Sequence, residues 1–118
     1  MKLPFLSEPG HTWCYYYAKA ELAYQKEDWN QVITLINEAT SLNYYPEDPF
    51  EWLAYIEAQA FMGNIEAARE LSNTILARDN SVRKGLCEAW KRVRAAGPAR
   101  GEMKESTQQV LADFQCIP

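Results

Sequence analysis

The chain repeats a pattern at an interval of 36 residues. Around Glu27-Asp28-Trp29-Asn30-Gln31-Val32, and again around Gly63-Asn64-Ile65-Glu66-Ala67-Ala68, a helical apolar pattern reaches a polar turn and a second helical pattern opens. Trp29 and Ile65 stand at matching points of the two passages. A period of this length limits the fold severely. Each two-helix unit carries an apolar stripe that it cannot bury by itself, so neighbouring units must stack.

The helix boundaries follow from local punctuation. A first helix is expected from about Thr12 to Lys26, because Trp13, Tyr16, Tyr17, Ala20, Ala23 and Tyr24 recur at three- and four-residue steps. Asp28, with Gln31 three positions on, reads as a capping box for a second helix whose stripe is Trp29, Val32, Ile33, Ile36 and Ala39. After the break at Tyr44-Tyr45-Pro46, Asp48-Pro49-Phe50-Glu51 is a strong start signal, with an acceptor, a proline at the first helical position and a reciprocating glutamate. The third helix carries Trp52, Tyr55, Ile56, Gln59 and Ala60 and ends at Gly63-Asn64. A fourth presents Ile65, Ala68, Leu71, Ile75 and Leu76, and a fifth restarts at Asp79-Asn80-Ser81 with Leu86, Cys87, Ala89, Trp90 and Val93. Ser106 and Gln109 read as the cap of a sixth, presenting Val110, Leu111 and Phe114. No segment alternates like a strand. The expectation is an all-α domain of about six helices: a lead-in over 1–11, repeats over 12–96, a loop over 97–105 and a capping helix over 106–118.

A chain of 118 residues, 47% hydrophobic, can build one core without staples. No apolar run approaches the ~20 residues needed to cross a bilayer, and the opening Met1–Leu6 is too short for a secretory signal. These features point to a cytoplasmic, soluble domain with Cys14, Cys87 and Cys116 as reduced thiols. The net charge of −4 is uneven: residues 1–77 balance to −7, residues 78–118 to +3. That polarity either steers a partner or complements the chain's own acidic half.

Here the chain resembles the tetratricopeptide repeat (TPR) family. Tyr16, Ala20 and Ala23 occupy the family's first-helix positions, Asp28-Trp29 its turn, and Val32, Ile36 and Ala39 its second helix. Trp52, Ile56, Gly63-Asn64, Ile65, Ala68, Ser72 and Ile75 fall at the corresponding places of the second unit. Glu27 stands where a turn glycine is usual, and Asn80 where a closing proline is expected. The resemblance implies antiparallel hairpins stacked as a short right-handed superhelix that binds a peptide or protein in a concave groove. Carried over, the groove positions are Cys14, Tyr17, Glu21, Tyr24 and Gln25 from the first unit. The second unit contributes Phe50, Leu53, Glu57, Ala60 and Phe61. Glu21 and Glu57 would then receive a basic residue of the ligand, unless the last helix folds into the groove and fills it.

A narrower resemblance rests on Glu8-Pro9-Gly10-His11-Thr12-Trp13-Cys14-Tyr15-Tyr16, Asp48-Pro49 with Glu51-Trp52-Leu53, and Leu86-Cys87 with Trp90. These resemble soluble helical tails of some multi-span bacterial membrane proteins of glycosyltransferase type. The resemblance implies a membrane link only through a region outside this chain.

Catalytic and cofactor chemistry finds no support in the residues. His11 and Cys14 lack a positioned third group, and three dispersed cysteines with one histidine lack metal-ligand spacing. No glycine-rich phosphate loop occurs. No catalytic residue, metal or cofactor is therefore expected. Arg83, Lys84, Lys91, Arg92 and Arg94 with Trp90 offer a weak nucleic-acid reading, opposed by the acidic balance and by the place of Trp90 on the apolar stripe. A homodimer formed through the last helix is the stronger alternative.

Overall fold

The computed structural model describes residues 12–96 and 101–116, with backbone alone at 101–104. The described residues are all-helical. The elements in order are α1 (Trp13–Gln25), α2 (Trp29–Ser41), a 3-10 turn at Pro49–Trp52 leading into α3 (Leu53–Phe61), α4 (Ile65–Arg78), a 3-10 turn at Asn80–Val82 leading into α5 (Arg83–Ala96), and α6 (Gly101–Asp113). Helix α1 pairs with α2 and α3 with α4, while α3 also lies against α2 and α5, and α6 rests on α5 and α4. The lead-in over 1–11, with His11, lies outside the described residues.

The two turns set 36 residues apart are built alike. Glu27 has φ 57° and Gly63 has φ 91°, so both hairpins close through a left-handed residue. Behind each, the next N–H reaches back: Asp28 donates to the Ala23 carbonyl and Asn64 to the Gln59 carbonyl. Glu27 therefore holds a conformation that glycine adopts without strain. The same bond revises the expected capping box. Asp28 Oδ1 does accept from the Gln31 amide at 3.2 Å, but the Asp28 N–H is taken by Ala23 and leaves nothing for the Gln31 side chain to reciprocate.

The third start signal is also only half used as expected. Asp48 accepts from the Phe50 amide at 3.0 Å, but the chain first winds into a 3-10 turn. Glu51, rather than folding back to the cap, accepts a 2.8 Å hydrogen bond from Trp13 Nε1 across to α1. Asp79 repeats the device before α5, accepting from the Ser81 amide and hydroxyl.

Two buried clusters fill the interior. One joins Trp13, Tyr16, Ala20 and Ala23 of α1 to Val32, Leu35, Ile36 and Ala39 of α2, with Ala58 of α3. The other joins Ile56 and Ala60 of α3, Ala68 and Ile75 of α4, Val82, Leu86, Trp90 and Val93 around α5, and Val110 and Leu111 of α6 with Phe114 just after it. Helix α3 contributes to both. Residues 56–60 are buried without interruption, as befits a helix enclosed by its neighbours. Gly85 lets α5 approach it closely, since a Cβ there would meet Leu53 Cδ1 at 2.9 Å. Polar groups inside are paired. Trp90 Nε1 donates to Ser72 Oγ, which donates to the Ala68 carbonyl. Asn64, Gln59, Tyr55 and Asn37 form a chain across α4, α3 and α2.

Two expectations are corrected here. The cysteines are not all reduced: Cys87 and Cys116 form a disulfide with Cα atoms 5.5 Å apart, tying α5 to the end of α6, and Cys14 alone is free. Close approach in the fold brings together two cysteines that are 29 residues apart in sequence. The expected loop over 97–105 is helical from Gly101 on, because α6 starts there and runs through Ser106 without a cap; 97–100 lie outside the described residues. Glu102, Met103, Lys104 and Glu105 are good helix formers and carry the helix upstream. Opening the Cys87–Cys116 loop by reduction should lower unfolding stability by about 2–4 kcal/mol, mainly by freeing the unfolded chain. Urea titrations with and without a dithiol reductant check this. Equal midpoints would contradict it, as would three reactive thiols, rather than one, in protein prepared without reductant.

Candidate functional site

The described positions of the expected groove divide into two groups. Near the end of α1, Tyr24 and Gln25 meet Glu27 of the turn, Trp29 at the start of α2, Glu57 and Phe61 of α3, and Arg92, Ala95 and Ala96 of α5. Together they line an open cavity of about 360 Å³. Its wall is aromatic. Trp29 stacks on Phe61 with ring centroids 4.5 Å apart and planes 1° from parallel, and Tyr24 meets Trp29 at 5.4 Å and 74°. Such ring contacts contribute about 0.5–1.5 kcal/mol beyond area burial, and the Trp29–Phe61 contact joins the first hairpin to the second.

Glu57 sits at the base of this site, only 3% exposed. Its Oε1 accepts from the Tyr24 hydroxyl at 2.8 Å and from Arg92 Nη2 at 2.9 Å, and its Oε2 accepts from Arg92 Nε at 2.9 Å. Three helices, α1, α3 and α5, are thereby tied to one carboxylate. Both oxygens are engaged from within the chain, so the expected salt bridge from Glu57 to a ligand's basic group has no free acceptor of its own. Arg92 remains half exposed on its outer side. The bidentate Glu57 contact, opposed by partial burial, raises its proton affinity further and keeps it charged.

The second group lies two turns back along α1. Tyr17 stacks with Trp13 at 5.9 Å, and Trp13 meets Trp52 at 5.7 Å. Glu21 approaches the Tyr17 hydroxyl, with Glu51 and Asp48 close enough to act on it electrostatically. Phe50 is exposed on the 3-10 turn, whereas Leu53 packs against the second core cluster and faces Gly85. Leu53 is thus a packing residue. Cys14 is exposed.

Burial, reinforced by Glu21 and its acidic neighbours, pushes the Tyr17 phenol from its ordinary 10 up to about 12. Burial and Glu57 do the same to Tyr24, against the smaller opposing pull of Arg92. Between pH 10 and 12 the unfolded chain releases protons that the folded chain retains. Stability present below about pH 10 is therefore lost as pH rises toward 12. Absorbance titration of tyrosinate in the native protein should show these two phenols ionising late, with unfolding setting in over the same window. All seven tyrosines titrating together near 10 would contradict the placement.

The basic residues of α5 are largely engaged within the chain. Arg83 donates to the Phe114 carbonyl and to Asn80, Arg94 to Gln108, and Arg92 to Glu57. Trp90, 1% exposed, is core and is not presented for stacking on a base. Among the described residues, no cluster of His, Cys, Asp or Glu has the numbers to hold a metal ion, and no helix is long and apolar enough to cross a membrane. Helix α6, with Phe114 just after it, buries Val110 and Leu111 against α4 and α5, where it covers the end of the second core.

Sequence reasoning placed Tyr24, Gln25, Glu57 and Phe61 at one site. It missed Trp29, Glu27 and Arg92. The clue to Trp29 was its position as the first residue of a helix, where a large aromatic also overhangs the preceding turn. No family model matches the chain, and no curated protein or solved structure matches it.

Proposed function

We propose that this chain is a non-catalytic protein-interaction module, a short TPR-like stack that binds a peptide or protein along the face shared by α1 and α3. The observation that carries this reading is the open aromatic cavity where α1, α3 and α5 converge, continued along α1 by Tyr17 and Glu21. A surface that keeps tryptophan, tyrosine and phenylalanine partly exposed in one concave place has the chemistry of a recognition site. The matched turns at Glu27 and Gly63 support the repeat-like reading. The placement of α6 on α4 and α5 favours a cap that leaves this face open. As for compartment, the Cys87–Cys116 bridge favours an oxidising environment over the cytoplasm that reduced thiols would imply.

The test is capture from the native extract on immobilised protein, comparing the wild type with a Tyr17→Ala, Glu21→Lys double variant. Neither change touches the Glu57 contacts, so circular dichroism should be unaltered. Glu57→Lys, by contrast, would place a charge against Arg92 in the interior and is no probe of binding. A discrete partner held by the wild type and lost by the variant is expected. The same proteins retained by both would end this reading.

A further inference from the structure

We infer that the Tyr24–Trp29–Phe61 cavity receives one cationic side chain, an arginine or lysine, of an extended basic peptide. This rests on the interaction-module reading above and names the chemistry of its ligand.

Around the cavity Glu57 and Arg92 neutralise each other, which leaves exposed Glu27 at the rim. Further along α1, Glu21, Asp48 and Glu51 gather about Tyr17, and among the described residues no lysine or arginine pairs with any of the three. The α1 side of this face is therefore negative, while Arg92, which α5 brings to the cavity, is held by Glu57. An anionic or neutral ligand forgoes that field, whereas a cationic one gains it.

The aromatic rings decide how such a ligand would sit. Indole is the strongest common partner for a cation over a ring face, and guanidinium also stacks on flat aromatic surfaces. Trp29 and Phe61, stacked with their planes parallel to 1°, both line the cavity, and Glu27 lines it beside them to take the charged head. The stem of an arginine or lysine is apolar and would cover Ala95 and Ala96.

Spacing follows from α1. Tyr17 and Tyr24 are seven residues apart, about 10 Å along a helix axis. A peptide in the extended polyproline II conformation, with three residues per turn and a rise of about 3.1 Å, covers that in about three residues and returns its side chain to the same face. The preferred ligand therefore carries two basic residues three positions apart, one over Trp29 and one beside Glu21.

The experiment is a titration of the isotopically labelled 118-residue chain, followed by the Trp29 indole and backbone amide signals. The probes are acetyl-Arg-Ala-Ala-Arg-amide, its citrulline analogue, its glutamate analogue and acetyl-Leu-Ala-Ala-Phe-amide. The arginine peptide should shift the Trp29 indole saturably, and the citrulline peptide should bind about fivefold or more weakly. Glu27→Gln, which retains the fold and the left-handed turn, should reduce arginine-peptide binding by about fivefold, and raised salt should weaken it further. If the apolar or acidic peptide binds the same signals as tightly as the arginine peptide, the cationic assignment is overturned while the interaction face stands. If no basic peptide produces a saturable shift up to about 1 mM, the assignment also fails, whereas the interaction module fails only if extract capture is insensitive to Tyr17 and Glu21.

Discussion

Trp90→Ala is expected to lower the unfolding free energy by about 3–5 kcal/mol, the largest single effect in this chain. Trp90 is 1% exposed and lies in the cluster that joins α3, α4, α5 and α6. Removing the indole leaves a cavity between four helices that cannot all close on it. It also removes the donor to Ser72, although that hydroxyl keeps its bond to the Ala68 carbonyl. Since domains of this size are stable by about 5–15 kcal/mol in total, the variant should be near the limit of folding. Trp90→Phe keeps most of the volume and should lose clearly less. Urea unfolding followed by circular dichroism measures both. A loss under 1 kcal/mol for the alanine variant would show that Trp90 is not enclosed.

Arg92→Met should cost about 3 kcal/mol, the lower end of the range for breaking a buried ion pair. The lower end applies because Arg92 is half exposed, so water can partly replace it, while Glu57 at 3% exposure is left with Tyr24 as its one donor. The informative comparison is the double variant Glu57→Leu with Arg92→Met. With no stranded charge, it should recover to within about 1 kcal/mol of the wild type, since well-packed apolar replacements of buried pairs are often neutral. A double-mutant cycle therefore separates the penalty of an orphaned carboxylate from the net value of the pair. Additive losses would mean that the two side chains do not meet.

These two sites differ in how far they were legible beforehand. The apolar stripe of α5, Leu86, Cys87, Ala89, Trp90 and Val93, is buried as its periodicity implies. It was legible because α5 has a strongly polar opposite face and only one way to turn. Helix α3 was read as one stripe with Glu57 facing outward. It is instead enclosed, and no local pattern distinguishes a carboxylate aimed at solvent from one aimed at an arginine 35 residues later. The same holds for Cys87 and Cys116, whose meeting depends on where α6 lands. Trp13 shows the reverse case. Its place in the core followed from spacing, but its bond to Glu51 diverted a residue that the local motif assigned to helix capping. Periodicity thus conveyed which faces are oily, while partners distant in the chain decided which polar groups remain free to bind.

The first hairpin packs against the second through Trp29 and Phe61, a contact that both joins the units and forms the wall of the cavity. The most direct measurement is a nuclear Overhauser spectrum of the native protein with the aromatic rings assigned. Strong cross-peaks between the Trp29 indole and the Phe61 ring are expected, with ring-current shifts fitting centroids 4.5 Å apart. Absence of those cross-peaks, with Phe61 resonances at unstructured positions in an otherwise folded protein, would contradict it.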